Sequence, residues 1–257
     1  MDLTGKAALV TGAGTGIGQG IAVELARRGA SVAIHYNNSR DGAEETRGRI
    51  EALGGQAIIV QGNIASREDV QRFVSETADR FGTINILVNN AALQLNLELL
   101  HHDEASYDKI MHTNLKGYWL CTQAVLPYLK KQQSGRVINL SSVHAKRPTD
   151  FDPVYAMSKG GIRMLTRESA IELGHYGITV NAIEPGAVDV GKSKHPPPIL
   201  APAAGEALAR DDQRLHFPLG RVGRPEDVGH LVCFIASDAS AFLSGAAIRL
   251  DGASMLL

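Results

Sequence analysis

Tyr155 and Lys159 stand four positions apart in "YAMSK", a spacing that puts both side chains on one face of a helix and lets them meet over a common partner. A free tyrosine titrates near pH ~10, too high for acid–base work at neutral pH, and a lysine ammonium beside it favours the phenolate and brings that value down. Such a pair can give and take a proton. Upstream, Ser141 and Ser142 close an apolar run in "NLSSV", His144 follows, and Asn114 lies in "HTNLKG" within a long helical pattern. Near the start of the chain, "VTGAGTGIGQG" places Gly12, Gly14, Gly16, Gly18 and Gly20 at every second position. This stretch follows an apolar run and precedes a helical one, so its amides lie at a helix N-terminus, where unpaired donors and the helix dipole attract phosphate. A glycine-rich strand-to-helix turn can also be purely structural. The spacing from Thr11 to Gly18 is Thr-Gly-x-x-x-Gly-Ile-Gly, not the G-x-G-x-x-G of many dinucleotide sites.

These groups need a frame that brings them together. Short apolar runs, "KAALVT", "SVAIHY", "QAIIVQ", "INILVNN", "GRVINLSS", "ITVNAIEPG" and "AAIRLDG", read as strands. Helical patterns lie between them, and three of these stop at glycines just past the last periodic residue: Gly29, Gly54 with Gly55, and Gly82. Strands alternating with helices imply right-handed crossovers and a parallel sheet of about seven strands covered on both faces, a single-domain, doubly wound α/β fold of the Rossmann type over residues 1–257. Ligands of such sheets bind outside the carboxyl ends of the strands, where the chemistry-bearing residues above all fall. One stretch breaks the rhythm: residues 191–217 carry Pro196, Pro197, Pro198 and Pro202 and no strand pattern, and read as a mobile lid over the site.

Taken in order, the glycine turn, "VNNAA", Asn114, "NLSSV" and "YAMSK" resemble the short-chain dehydrogenase/reductase family. The resemblance runs on through "NAIEPGAV" and "PLGRVGRPEDVGHLVCFIASDASAFLSG" to "LDGA". Within the family, "SSVHAKRP" and "YAMSKGGIRMLT" look most like glucose 1-dehydrogenases and nearby 3-oxoacyl-ACP reductases. The resemblance implies hydride transfer between a nicotinamide cofactor and a secondary alcohol or carbonyl substrate, a sugar, polyol or similar. The alternatives are a 3-oxoacyl-thioester reductase or a dinucleotide-sensing regulator without turnover. It also implies four catalytic residues: Tyr155 exchanging the proton, Ser142 binding the substrate oxygen, Lys159 holding the nicotinamide ribose, and Asn114 positioning a water. In the family the serine stands thirteen positions before the tyrosine, which selects Ser142; Ser141 then faces the other way. His144 either lines the pocket or is a solvated loop histidine.

The same resemblance implies a cofactor site. Gly12, Thr15, Gly16, Ile17 and Gly18 would hold the phosphates, and Tyr36, Asn37, Asn38 and Ser39 the adenosine ribose. Asn63 and Ile64 would hold the adenine; Asn90, Ala91, Tyr155, Lys159, Pro185, Gly186 and Val188 would flank the nicotinamide half. No carboxylate stands among residues 36–39 to bind both ribose hydroxyls, while Asn37, Asn38 and Ser39 can donate to a 2′-phosphate, with Arg40 next to them. Thr15 stands where many NADP-dependent relatives have a basic residue. NADP(H) is therefore expected to be preferred and NAD(H) tolerated. Three positions depart from the common family pattern: Ala92 for glycine, Asn63 for aspartate and Val190 for threonine.

With 26 basic and 27 acidic residues the net charge is -1, which gives no reason to expect nucleic acid or an anionic membrane as partner. No apolar run reaches the ~18 residues of a membrane span, and no secretory leader pattern is present, so a soluble, cytoplasmic protein is expected, with no metal site. Cys121 and Cys233 read as buried thiols of a reducing compartment. The long helical patterns from Asp103 and Pro153 carry apolar residues on more than one face: Leu115, Tyr118, Trp119, Ala124, Val125, Ile162, Leu165, Ile171 and Leu173. That excess points to a homo-oligomer, a tetramer by the family resemblance, although Trp119 by itself reads as packing.

Overall fold

The computed structural model describes residues 1–147, 152–191 and 217–256 of the 257. Within them the chain runs β1 (Ala7–Val10), α1 (Gly16–Arg27), β2 (Ser31–Tyr36), α2 (Arg40–Glu51), β3 (Ala57–Gln61), α3 (Arg67–Phe81), β4 (Ile86–Asn89), α4 (Glu104–Met111), α5 (Gly117–Gln132), β5 (Gly135–Leu140), α6 (Pro153–Leu173), β6 (Ile178–Pro185), α7 (Pro225–Ala236) and β7 (Ala247–Leu250). All seven apolar runs form strands. They pair in parallel in one sheet of order β3-β2-β1-β4-β5-β6-β7. The order reverses between β1 and β4, and the crevice at their carboxyl ends is where ligands of such sheets bind.

Alternation along each strand sends side chains to opposite faces. Ala8 and Val10 of β1 pack with Val32, Ile34 and Val88 against α1 and α7, whereas Leu9 between them packs with Ala33 and Leu87 against α3 and α5. Both faces are covered, so each strand reads as an unbroken apolar run. Cys121 and Cys233 are free and buried within these two cores. Of the nine apolar residues expected to cover more than one face, Tyr118, Val125, Ile162 and Leu173 belong to the core; Leu115, Ala124 and Leu165 are half-buried; Trp119 and Ile171 are exposed.

Two local features set the geometry of the site. Between α4 and α5 the helix widens into a single π turn, His112–Lys116, so Asn114 lies in a local distortion rather than in a regular helix. The start of α6 is fixed by Pro153 in its first turn and by Asp152, whose side chain accepts from Tyr155 N at 2.9 Å. No helix among the described residues is long and apolar enough to cross a membrane.

Candidate active site

The turn after β1 is built from side chains of three strands. Thr11 Oγ1 accepts from the amides of Asn90 (2.9 Å) and Ala91 (3.1 Å), and Asn90 Nδ2 donates back to the carbonyl oxygens of Thr11 (2.9 Å) and Gly12 (3.2 Å). The ends of β1 and β4 are thereby tied to each other. From β2, buried His35 accepts from Gly12 N through Nδ1 at 3.2 Å, while Nε2 lies 2.9 Å from Gly62 O. A ring accepting at Nδ1 and donating at Nε2 is the neutral tautomer, and burial holds its pKa down to about 4. Gly12 has φ +65°, and a Cβ there would stand 2.8 Å from Ala91 Cα, so neither the backbone angle nor the space admits another residue. A Cβ on Gly18 would lie 2.5 Å from Asn90 Nδ2 and collide with Gly12 O.

Beyond this turn, α1 begins at Thr15 without a side-chain cap, leaving its first amides directed into a cleft of about 620 Å³. The cleft wall contains Gly12, Thr15, Gly16, Ile17 and Gly18 from the turn and Tyr36, Asn37, Asn38 and Ser39 from the end of β2. Asn63 and Ile64 after β3, Asn90 and Ala91 after β4, and Tyr155 from α6 line it as well. Asn63 Oδ1 already accepts from Ala65 N at 3.0 Å, which leaves one lone pair for an adenine amino group. His35, Gln94, Lys109 and Thr113 line the same cleft and were not singled out from the sequence.

Four expected cofactor positions lie elsewhere, Lys159 among them, a buried residue that is not on the cleft wall. Pro185, Gly186 and Val188 are not on the cleft wall: Gly186 N pairs with Leu250 O at 3.0 Å and Val188 bridges to Gly223, so the chain after β6 is drawn towards β7 and the start of α7. Val190, two residues on, is the one from this segment that reaches the cleft, its Cβ and Cγ1 facing Gly16. The expected lid, 191–217, lies outside the described residues except at its two ends.

The four expected catalytic residues do cluster, though only Tyr155 faces the cleft. Ser142 stands close enough to Tyr155 for its hydroxyl to favour the phenolate, and its Oγ accepts from His144 N at 3.2 Å. The His144 ring stands edge-on to Tyr155, centroids 6.2 Å apart, and burial lowers its pKa, so it flanks the tyrosine rather than standing free in solvent. Lys159 is fully buried; its Nζ donates to Leu140 O at 2.7 Å and lies 5.5 Å from the centre of the Tyr155 ring. Burial pushes its pKa down to about 7, so the ammonium is only partly populated at neutral pH. The pKa of Tyr155 itself is raised, first by burial, with Ser142 opposing and Asp152 adding to the rise. The expected lowering draws on the positive nicotinamide of the oxidised cofactor as well as on Lys159.

Asn114 ties the strap after β4 to α6. Its Oδ1 accepts from Leu93 N at 2.7 Å, and its Nδ2 donates to Leu93 O at 2.9 Å and Ser158 Oγ at 3.0 Å, which uses both amide protons and leaves one lone pair on Oδ1. Asp152 makes a second tie, its Oδ2 accepting from Leu95 N and Asn96 N, each at 3.1 Å. His102 Nε2 lies 3.2 Å from Asp152 Oδ1, and both side chains are buried.

A family model described as enoyl-(acyl carrier protein) reductase matches residues 12–253. The chain is 36% identical over 250 residues to the 3-oxoacyl-[acyl-carrier-protein] reductase FabG of Staphylococcus epidermidis, covering 96% of this chain and 98% of that one. A 3-oxoacyl-[acyl-carrier-protein] reductase of Synechocystis is also 36% identical, across 99% and 98% of the two chains. The crystal structure of a putative short-chain alcohol dehydrogenase from Sinorhizobium meliloti superposes with a TM-score of 0.88 at 34% identity, over 99% of this chain and 98% of that one. The chain belongs to the short-chain dehydrogenase/reductase family. It is an NAD(P)-dependent oxidoreductase, and the cleft suits that class of cofactor. The family's nicotinamide dinucleotide finds a glycine turn with no room for side chains and an uncapped helix start for its phosphates. For its ribose it finds a β2 terminus of neutral polar groups.

Proposed function

We propose that the protein reduces the ketone of a 3-oxoacyl thioester to the 3-hydroxy product, with NADPH preferred and NADH tolerated. The observation that carries the direction is the printed activity of the relatives, which are reductases; Tyr155, the one expected catalytic residue on the cleft wall, is the group placed to give a proton to the carbonyl oxygen. The substrate class is supported by the printed activity of the relatives, which favours the thioester over a sugar or polyol. The bound nicotinamide supplies the hydride for the carbonyl carbon. Ser142 holds the carbonyl oxygen beside Tyr155, and Tyr155 delivers its proton there as the charge develops. Lys159, poised near neutrality, keeps positive charge close to the phenolate left behind. Asn114 is a positioning residue through Leu93 and Ser158. The regulator reading is disfavoured because binding alone has no use for Tyr155 and Ser142 standing close together.

The test is initial-rate kinetics with an acetoacetyl thioester of N-acetylcysteamine and NADPH, set against glucose or a polyol with NADP⁺. Thioester reduction is expected to be the faster; faster sugar or polyol oxidation overturns the reading. For the cofactor, kcat/KM with NADPH should exceed that with NADH on one substrate, and a clear preference for NADH would show that Tyr36 and its neighbours favour the bare ribose. The exposed Trp119, Met157, Met164 and Ile171 on α5 and α6 support assembly as a tetramer. Light scattering at micromolar concentration tests it, a monomer being the refuting result.

A further inference from the structure

Among the described residues, several buried side-chain nitrogen and oxygen atoms have no hydrogen-bond partner, and only one of them belongs to a residue on the cleft wall: Nε2 of Gln94. Most of the others lie in the core or beside an opposite charge, as Glu184 Oε1 lies 3.0 Å from Arg163. An amide donor without an acceptor leaves a hydrogen bond unmade, and Gln94 lines the cleft that also contains Tyr155, where a ligand provides one.

The backbone on either side of Gln94 is fixed. Leu93 is held at both its N–H and its C=O by Asn114, and the next two amides, Leu95 and Asn96, are both held by Asp152. Asn96 takes a left-handed backbone angle, φ 57°, which closes the turn right after these anchors. Asn114 and Asp152 are themselves buried, at 0% and 3% exposure, so the strap cannot drift without breaking core contacts. A side chain presented between two such anchors is preorganised to read its ligand.

We propose that Gln94 is a specificity-determining residue whose Nε2 donates a hydrogen bond to the second carbonyl oxygen of a 1,3-dicarbonyl substrate while Ser142 and Tyr155 engage the first. This rests on the 3-oxoacyl reading, because a 3-oxoacyl thioester carries a carbonyl on each side of one methylene. With the ketone oxygen against Ser142 and Tyr155, the thioester oxygen is the remaining strong acceptor near the reacting carbon. A simple ketone lacks that oxygen, leaves the amide unpaired and binds less well for it. Sites built around a polar group discriminate against analogues that lack it for this reason.

The experiment compares wild type with Gln94→Leu, which keeps the bulk and removes the donor, and Gln94→Glu, which replaces the donor by an acceptor. Each is assayed with NADPH for kcat/KM on the acetoacetyl thioester of N-acetylcysteamine and on pentan-2-one, with NADPH affinity measured by fluorescence and folding by thermal unfolding. Gln94→Leu is expected to lose about 10- to 100-fold on the thioester and less than about 3-fold on pentan-2-one, the scale of one hydrogen bond to a buried donor. Gln94→Glu should be at least as impaired on the thioester, and NADPH affinity and the unfolding midpoint should stay near wild type in both. Equal losses on the two substrates, or a matching loss of NADPH affinity, overturn the proposal. If wild type prefers the thioester and Gln94→Leu keeps that preference, the proposal alone fails; if wild type shows no preference for the thioester, the functional reading fails and takes the proposal with it.

Discussion

The turn after β1 and the strap after β4 both line one cleft and are held in different ways. The turn is shaped by backbone: Gly12 and Gly18 sit where any side chain collides with Ala91, Asn90 or the turn's own carbonyl. The strap is shaped by two buried side chains from distant parts of the chain, Asn114 and Asp152, which hold Leu93, Leu95 and Asn96 by their amides. A wall made by close backbone approach admits almost no change, which suits the cofactor proposed to lie on it. A wall hung from side chains can be re-aimed by single substitutions, which suits the side proposed to meet the substrate.

That contrast predicts separable failures. The largest loss is expected where the two walls meet: Tyr155→Phe should lower kcat by ~100-fold or more while leaving NADPH affinity almost intact, since the ring stays and only the acid is removed. Turnover near wild type in that variant would refute the mechanism. Next, Gly18→Ala should weaken NADPH binding by about 10-fold or more, the scale of overpacking a close contact. Asp152→Ala should leave NADPH affinity nearly unchanged, reduce kcat/KM for the carbonyl substrate, and lower stability by about 1–3 kcal/mol through a lost cap and two amides without an acceptor. Isothermal titration and thermal unfolding on the pair decide the matter; if both variants lose cofactor affinity alike, the two walls are one unit and the contrast is broken.

The smallest effect at neutral pH, and the sharpest test of the turn, comes from His35. Its pKa is near 4 in the fold and 6.5 for a free histidine, so the unfolded chain takes up this proton first. Stability from this group is therefore full above about pH 6.5, declines as pH falls towards 4, and is lost below that, because burial opposes the charged ring; protonation also removes the Nδ1 acceptor from Gly12 N. Chemical denaturation of wild type between those pH values should show the decline, and His35→Asn should flatten it; an equal slope in both would remove His35 from the turn's support.

The glycine turn, the seven strands and the neutral polar end of β2 on the cleft wall were legible in the sequence, because each depends on neighbours a few positions away. Alternating apolar runs dictate strands, glycines past Arg27 and Phe81 dictate helix ends, and the parallel sheet brings every strand's carboxyl end to one edge. Tyr155 and Lys159 share a face through helical periodicity alone. His35 escaped notice because it fits the strand pattern and its partners, Gly12 and Gly62, come from β1 and the end of β3. Asp152 and Gln94 carried no local signal either: the tie from Asp152 to Leu95 spans 57 positions, and whether the Gln94 amide finds a partner depends on how that strap is hung. The protonation state of the site was decided at the same level. Four-residue spacing brings an ammonium near a phenol, but only the packing of α6 against β5 determines how dry both groups are, and that dryness raises the tyrosine's pKa and lowers the lysine's. Sequence neighbours settle which groups meet; the dielectric around them is a property of the whole fold.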